Sequence, residues 1–195
     1  MKSTNIKDSS SPAENYLNHL KSIFQQEPEY HYLNENSVKQ IPGVTSIIYQ
    51  ATQKKGFITG LTYGLSIVEH PQWKLSRPEL CITVKSDKKA WVHTAAHIAN
   101  NLRGICPFRY GEIINFGKQI SEDSEMDAFF IFAPSILNSS SYTKINIGTV
   151  YQISIAGLYP IYSSEIEILD QIGLEAFWHH TDFDLYDVNR KRIEI

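Results

Sequence analysis

The chain has 195 residues, of which 42% are hydrophobic and 12% aromatic, with 20% charged and a formal net charge of −3. That length suits one large domain or two small ones, and that apolar share can fill a core, so wholesale disorder is excluded. The balance also lacks the overall basic footprint of a nucleic-acid binder. The charge is uneven: residues 1–118 carry 14 Lys+Arg against 9 Asp+Glu, or +5, while residues 119–195 carry 4 against 12, or −8. A negative half can steer a basic partner, although a lopsided solvated surface would look the same.

The first residues (MKSTNIKDSSSPAEN) are polar and contain no apolar h-region, so they do not read as a secretory signal. No stretch is long and apolar enough to span a bilayer. Cys81 and Cys106 stand far apart in apolar settings (ELCITV and GICPF) and read as reduced thiols. The expectation is a cytoplasmic protein.

Residues 1–10 read as a disordered polar tail and 11–195 as one domain. Ser11-Pro12 supplies an N-cap and a first-turn proline. Tyr16, Leu17, Leu20, Ile23 and Phe24 follow at helical spacing until Pro28. Residues 27–43 have no period and two prolines, which predicts a loop. Residues 46–52 and 57–66 are β-rich runs around QKKG, a hairpin signal. Gly60 and Gly64 inside the second run point to a bulge or a close backbone approach. Residues 68–78 read as a loop, and Glu79–Lys85 as a third strand.

Ser86 or Asp87 is expected to cap a helix running to about Arg103. Its buried face is Trp91, Val92, Ala95, Ala96, Ile98, Ala99 and Leu102, with Gly104 as the left-handed cap beyond it. Strands are predicted over 112–117, 126–133 and 149–156. The run FFIF predicts a strand covered on both faces. Residues 134–147 are a Ser/Asn-rich excursion whose tip is Ser139–Ser141. Pro160 is expected to stop the last strand. Ser164 with Glu167 fits a capping box for a helix with Ile166, Leu169 and Ile172 facing inward, and Gly173 is expected to break it. Phe177 and Trp178 then anchor another turn.

No repeat or linker divides the chain. The prediction is a single α/β (α+β) domain with a mixed, largely antiparallel sheet flanked by helices.

The order of motifs TYGLS (Thr62–Ser66), ELCITV (Glu79–Val84), a helix closed by glycine, FFIFAP (Phe129–Pro134) and PIYSSEIEIL (Pro160–Leu169) resembles the suppressor of fused domain family, most of all its stand-alone bacterial members. The resemblance covers roughly residues 40–190. It implies a mixed sheet flanked by helices and a protein that is not an enzyme and needs no cofactor. In animals the larger relative restrains transcription factors, its partner peptide adding as a strand in a cleft between two domains. This chain is too short to hold the second domain. Many bacterial members are associated with polymorphic toxin systems, where they look like immunity proteins. The resemblance thus implies a protein partner, and with the acidic half a basic toxin domain is expected; neither nucleic acid nor a membrane is expected as a partner. The alternative is a regulatory or scaffold module sequestering another protein such as a transcription factor.

The residues themselves carry no catalytic signature. His179, His180, Asp182 and Asp184 are ligand-type residues close together, but adjacent histidines point apart. His93 and His97 have the better i, i+4 spacing but no third ligand nearby, and half-buried or surface histidines explain them as well. A metal-dependent enzyme using either set stands as the third functional class. Cys106 lacks the oriented base that a nucleophilic thiol needs. No phosphate-binding glycine loop and no G-x-S-x-G elbow is present. The feature that points to function is acidic: Glu165, Glu167, Asp170, Glu175, Asp182, Asp184 and Asp187, a candidate surface for a basic partner. The competing account is local, because Glu165 and Glu167 fall where carboxylates favour a helix N-terminus.

Overall fold

A computed structural model describes residues 10–33, 41–50 and 55–195. Residues 1–9 of the predicted tail, the stretch 34–40 and residues 51–54, which hold the end of the predicted strand 46–52 and the first half of the QKKG turn, lie outside the described residues.

Helix α1 (Pro12–Phe24) begins as expected and more firmly: the Ser11 hydroxyl accepts from the Glu14 amide at 3.3 Å, and the Glu14 carboxylate accepts from the Ser11 amide at 2.6 Å. The strands are β1 (Glu29–Tyr32), β2 (Thr45–Gln50), β3 (Ile58–Tyr63), β4 (Arg77–Val84), β5 (Ile113–Asn115), β6 (Ala128–Phe132), β7 (Ile145–Asn146) and β8 (Gln152–Ile161). The remaining helices are α2 (Ala90–Leu102), α3 (Ser139–Tyr142) and α4 (Ile166–Trp178), the last entered through a 3-10 turn at Ser163–Glu165. Together they make the predicted α/β domain.

The eight strands form one sheet in the order β1-β2-β3-β4-β8-β6-β5, with β7 pairing with β8 beside this row. Every pairing is antiparallel except β4 with β8, where Arg77 stands opposite Ile153. The sheet is therefore mixed and largely antiparallel.

Period-two alternation divides the core between the faces. Ile48, Ile58, Leu80 and Ile82 pack against Trp91, Val92, Ala95 and Ala99 of α2. Ile47, Tyr49, Leu61, Cys81 and Ile155 pack on the other face against Tyr16 and Leu20 of α1. Gly60 makes the first arrangement possible, since a Cβ there would lie 2.2 Å from Val92 Cγ1. The expected close approach is thus between β3 and α2. Strand β6 is covered on both faces as predicted: Phe129 and Ile131 join the α2 cluster, whereas Ala128 and Phe130 join a third cluster with Tyr159, Leu169 and Phe177.

Four expectations are corrected. The predicted loop 27–43 contains β1, which pairs with β2 and exposes all four side chains, so no apolar alternation marks it. Pro160 does not stop β8; the pairing with β4 ends at Leu158, and at Pro160 the strand faces only Phe129 of β6, a one-sided position that tolerates a missing N–H. Neither Ser86 nor Asp87 caps α2. Lys89 holds the cap position without a side-chain bond, while the Ser86 hydroxyl donates to Asp123 at 2.5 Å and accepts from the Lys88 amide. The excursion 134–147 contains α3, with Asn138 accepting from the Ser141 amide, and β7.

Candidate functional site

The acidic stretch is built on β8, α4 and the turns that follow. The structure sorts its carboxylates into two kinds.

Glu165 points inward and is fully buried. Its two oxygens accept from Arg190 Nη1 and Nη2 at 2.6 and 2.7 Å, from the Ile193 amide at 2.8 Å and from the Tyr162 amide at 3.1 Å. Such a forked, charge-assisted contact satisfies a carboxylate with no water present. The Arg190 guanidinium also lies over Phe183, 4.9 Å from the ring centre. The expected capping box is displaced accordingly: Glu165, not Glu167, reaches back to the chain entering the helix. Glu165 is therefore withdrawn from the partner-binding set, because a residue buried beneath the C-terminal segment has no surface to offer.

The others point outward. Glu167, Asp170, Glu175, Asp182 and Asp184 are exposed and Asp187 is half-buried. Glu167 and Asp170 stand three apart on one helical face, within neighbour distance. Gly173 then breaks the helix as predicted, with φ 78° and ψ 162°, and Glu175 follows in the second half. Beyond the helix, Asp184 accepts from the Tyr186 and Asp187 amides at 2.9 and 3.1 Å, and Asp187 from the Asn189 amide at 2.9 Å. Asp182 lies 3.9 Å from the His180 ring. Among the described residues, none of Glu167, Asp170, Glu175, Asp184 and Asp187 forms an ion pair. The arginines of this half are engaged elsewhere, Arg190 with Glu165 and Arg192 with Glu125 at 2.8 Å. The outward carboxylates are left without local neutralisation.

Beneath this surface the support is aromatic. Phe130, Phe132, Tyr159, Phe177, Trp178 and Phe183 pack ring against ring, with centroids 5.0 to 6.2 Å apart. Such contacts hold the second half of α4 on β6 and β8, while Leu169 of the first half packs into the same cluster.

The other candidates are dispersed. His179 Nδ1 lies 2.9 Å from the Glu175 carbonyl, and the His180 ring accepts from the Asp182 amide at 3.2 Å. His97 contacts Asn101, and His93 turns toward His31 of β1. Among the described residues no group of three or more His, Cys, Asp or Glu is placed to hold a metal ion. The Cys106 thiol is pushed up to about 11, chiefly by burial, which opposes a thiolate nucleophile at neutral pH. Two sizeable surface concavities lie elsewhere, one between α1 and β1 around Leu17 and Tyr30, the other at the C-terminal end of α2 around Arg103 and Ile105.

A second buried carboxylate escaped the sequence reasoning. Glu79 of β4 accepts from the Thr62 hydroxyl at 2.6 Å, the Gly64 amide at 2.9 Å, the Ser66 amide at 3.0 Å and the Ser66 hydroxyl at 2.7 Å. Burial raises its carboxyl above the ordinary value, and the four hydrogen bonds oppose that rise only in part. The two motifs TYGLS and ELCITV are thus one structural unit, with Gly64 at φ 124° turning its amide toward the carboxylate. An acid inside a predicted strand, one motif away from Thr, Gly and Ser, was the available signal.

With this geometry in hand, the chain compares with solved structures as follows. It superposes on a suppressor of fused (SUFU) homologue from Neisseria gonorrhoeae FA 1090 with a TM-score of 0.72 and 17% identity, covering 92% of this chain and 94% of that one. It matches a chain of the Sufu–Fu complex with a TM-score of 0.65 and 11% identity, over 93% of this chain and 91% of that one. It matches Drosophila Suppressor of Fused with a TM-score of 0.66 and 11% identity, over 92% of this chain but 50% of that one. No protein-family model and no curated protein matches the sequence. The fold is therefore that of the suppressor of fused proteins, as the resemblance implied. Among the described residues no helix is long and apolar enough to cross a membrane.

Proposed function

We propose that this chain is a non-enzymatic protein-binding domain of the immunity type, which binds a cognate toxin and neutralises it by covering its working surface. The contact surface is the outward acidic face, Glu167, Asp170 and Glu175 on α4 with Asp182, Asp184 and Asp187 beyond it. The observation that carries this reading is the sorting of charge. The arginines of the C-terminal half are spent on Glu165 and Glu125, so exposed carboxylates remain unneutralised on a rigid aromatic base. A basic toxin domain is the partner such a face fits, and long-range attraction would speed its capture.

Co-expression with the toxin-like product of a neighbouring gene tests the proposal. Survival should require this chain and should be lost when Glu167, Asp170 and Glu175 are changed together to lysine. Equal killing with and without the chain contradicts it. A second reading, a regulatory or scaffold module holding some other protein, draws on the Sufu–Fu complex, in which a chain of this fold is found in an assembly. A pull-down recovering a transcription factor, with no toxin encoded nearby, favours that reading.

A further inference from the structure

His31 and His93 belong to different elements and meet at the edge of the sheet. His31 lies in β1 and His93 on α2, with ring centroids 4.3 Å apart and planes inclined by 53°. His93 Nδ1 is buried and, among the described residues, has no hydrogen-bond partner. A proton placed there would find no acceptor, which disfavours the charged ring. The charged or titratable groups facing His93 are His31 from β1 and Lys89 one turn earlier on α2. The nearby carboxylate is Glu29 of β1, already accepting from Lys89 Nζ at 2.5 Å. His97, one turn further on, is engaged with Asn101. Strands β2, β3 and β4 contribute apolar groups to the α2 side, among them Ile48, Ile58 and Ile82.

We propose that the His31–His93 contact is an acid-released latch that fastens edge strand β1 to α2. Among the described residues β1 is four residues long with one strand neighbour, β2, and its side chains are exposed. Its hold on α2 is the ring contact and the Glu29–Lys89 pair. With both rings neutral, the contact is a close aromatic packing. Imidazoles take up protons in mildly acidic solution. A charged His93 then stands against His31 and Lys89 with its buried Nδ1 proton unmet among the described residues, which opposes the docked contact. Burial first, and neighbouring His31 and Lys89 next, hold His93 below its ordinary value. A depressed base favours the docked state at higher pH. Docking is therefore complete above the ordinary imidazole pKa and is lost as pH falls through it toward the depressed value. Release of β1 uncovers the hydrogen-bonding edge of β2, residues 45–50.

Amide hydrogen exchange on the full chain, at pH 7.5 and 5.5 and corrected for intrinsic rates, tests the latch. Residues 29–32 and 45–50 should lose protection at pH 5.5 relative to β4 and β8. His93→Gln and, separately, His31→Gln should each remove most of that acid-dependent loss. An unchanged ratio between the two pH values overturns the proposal, as does a loss shared equally by β4 and β8, or the same acid response in both variants. If a variant does not fold, the wild-type ratio decides alone.

Discussion

Among the described residues, two regions bury a carboxylate completely, and they satisfy it by different means. At the β3–β4 junction Glu79 is met by neutral donors, two hydroxyls and two amides. Under α4 Glu165 is met by a guanidinium from 25 residues away, and through it the C-terminal segment is fastened to the helix. The first arrangement fixes a turn between neighbouring strands and leaves the acid with a raised pKa. The second fixes a chain end. The difference sets Glu165 apart from the other acids of α4 and the turns beyond: it fastens a distant segment, Asp184 and Asp187 accept only from amides two or three residues on, and Glu167, Asp170 and Glu175 point outward.

The largest effect should come from breaking the second arrangement. Arg190→Ala leaves Glu165 buried and unpaired, which costs about 3–5 kcal/mol. Urea denaturation should show that loss, together with faster exchange of the segment 190–193.

Glu79→Ala should cost less, about 3 kcal/mol, because four neutral donors are orphaned rather than a charge. Glu79→Gln should cost about 1 kcal/mol, since an amide oxygen can still accept from Gly64 and Ser66. This variant also sharpens the contrast in pH dependence. A carboxyl raised in the folded state binds its proton more tightly there than in the unfolded chain. Its contribution is therefore fullest below the ordinary carboxylate pKa and shrinks as pH rises toward the folded value. Relative to wild type, Glu79→Gln should gain stability as pH is raised from 4 to 8. Denaturation curves across that range check the sign, and a difference independent of pH contradicts it.

How much of this was legible depends on how local each feature is. Ser11 and Pro12 announced α1 because capping is a contact three residues long. The apolar period of α2 and the break at Gly173 were equally local. Strand β1 was hidden because both its faces are exposed, so EYHY shows no alternation. Pro160 misled because its tolerance depends on where a neighbouring strand stops pairing. The role of Glu165 was hidden for the same reason at longer range: its partner Arg190 lies 25 residues away, beyond the helix. The acid-to-motif link at Glu79 was readable in type but not in geometry. The outward carboxylates were found by composition, and burial alone removed Glu165 from among them.

The smallest effect on stability should come from the surface. Changing Glu167, Asp170 and Glu175 together to lysine should shift unfolding by no more than about 0.5 kcal/mol per site, since among the described residues none of them has an ion-pair partner to lose. The decisive measurement compares that triple variant with wild type for survival of cells expressing the toxin-like neighbour, alongside their denaturation curves. The account predicts a folded protein that no longer protects. A folded triple variant that protects as well as wild type would contradict it.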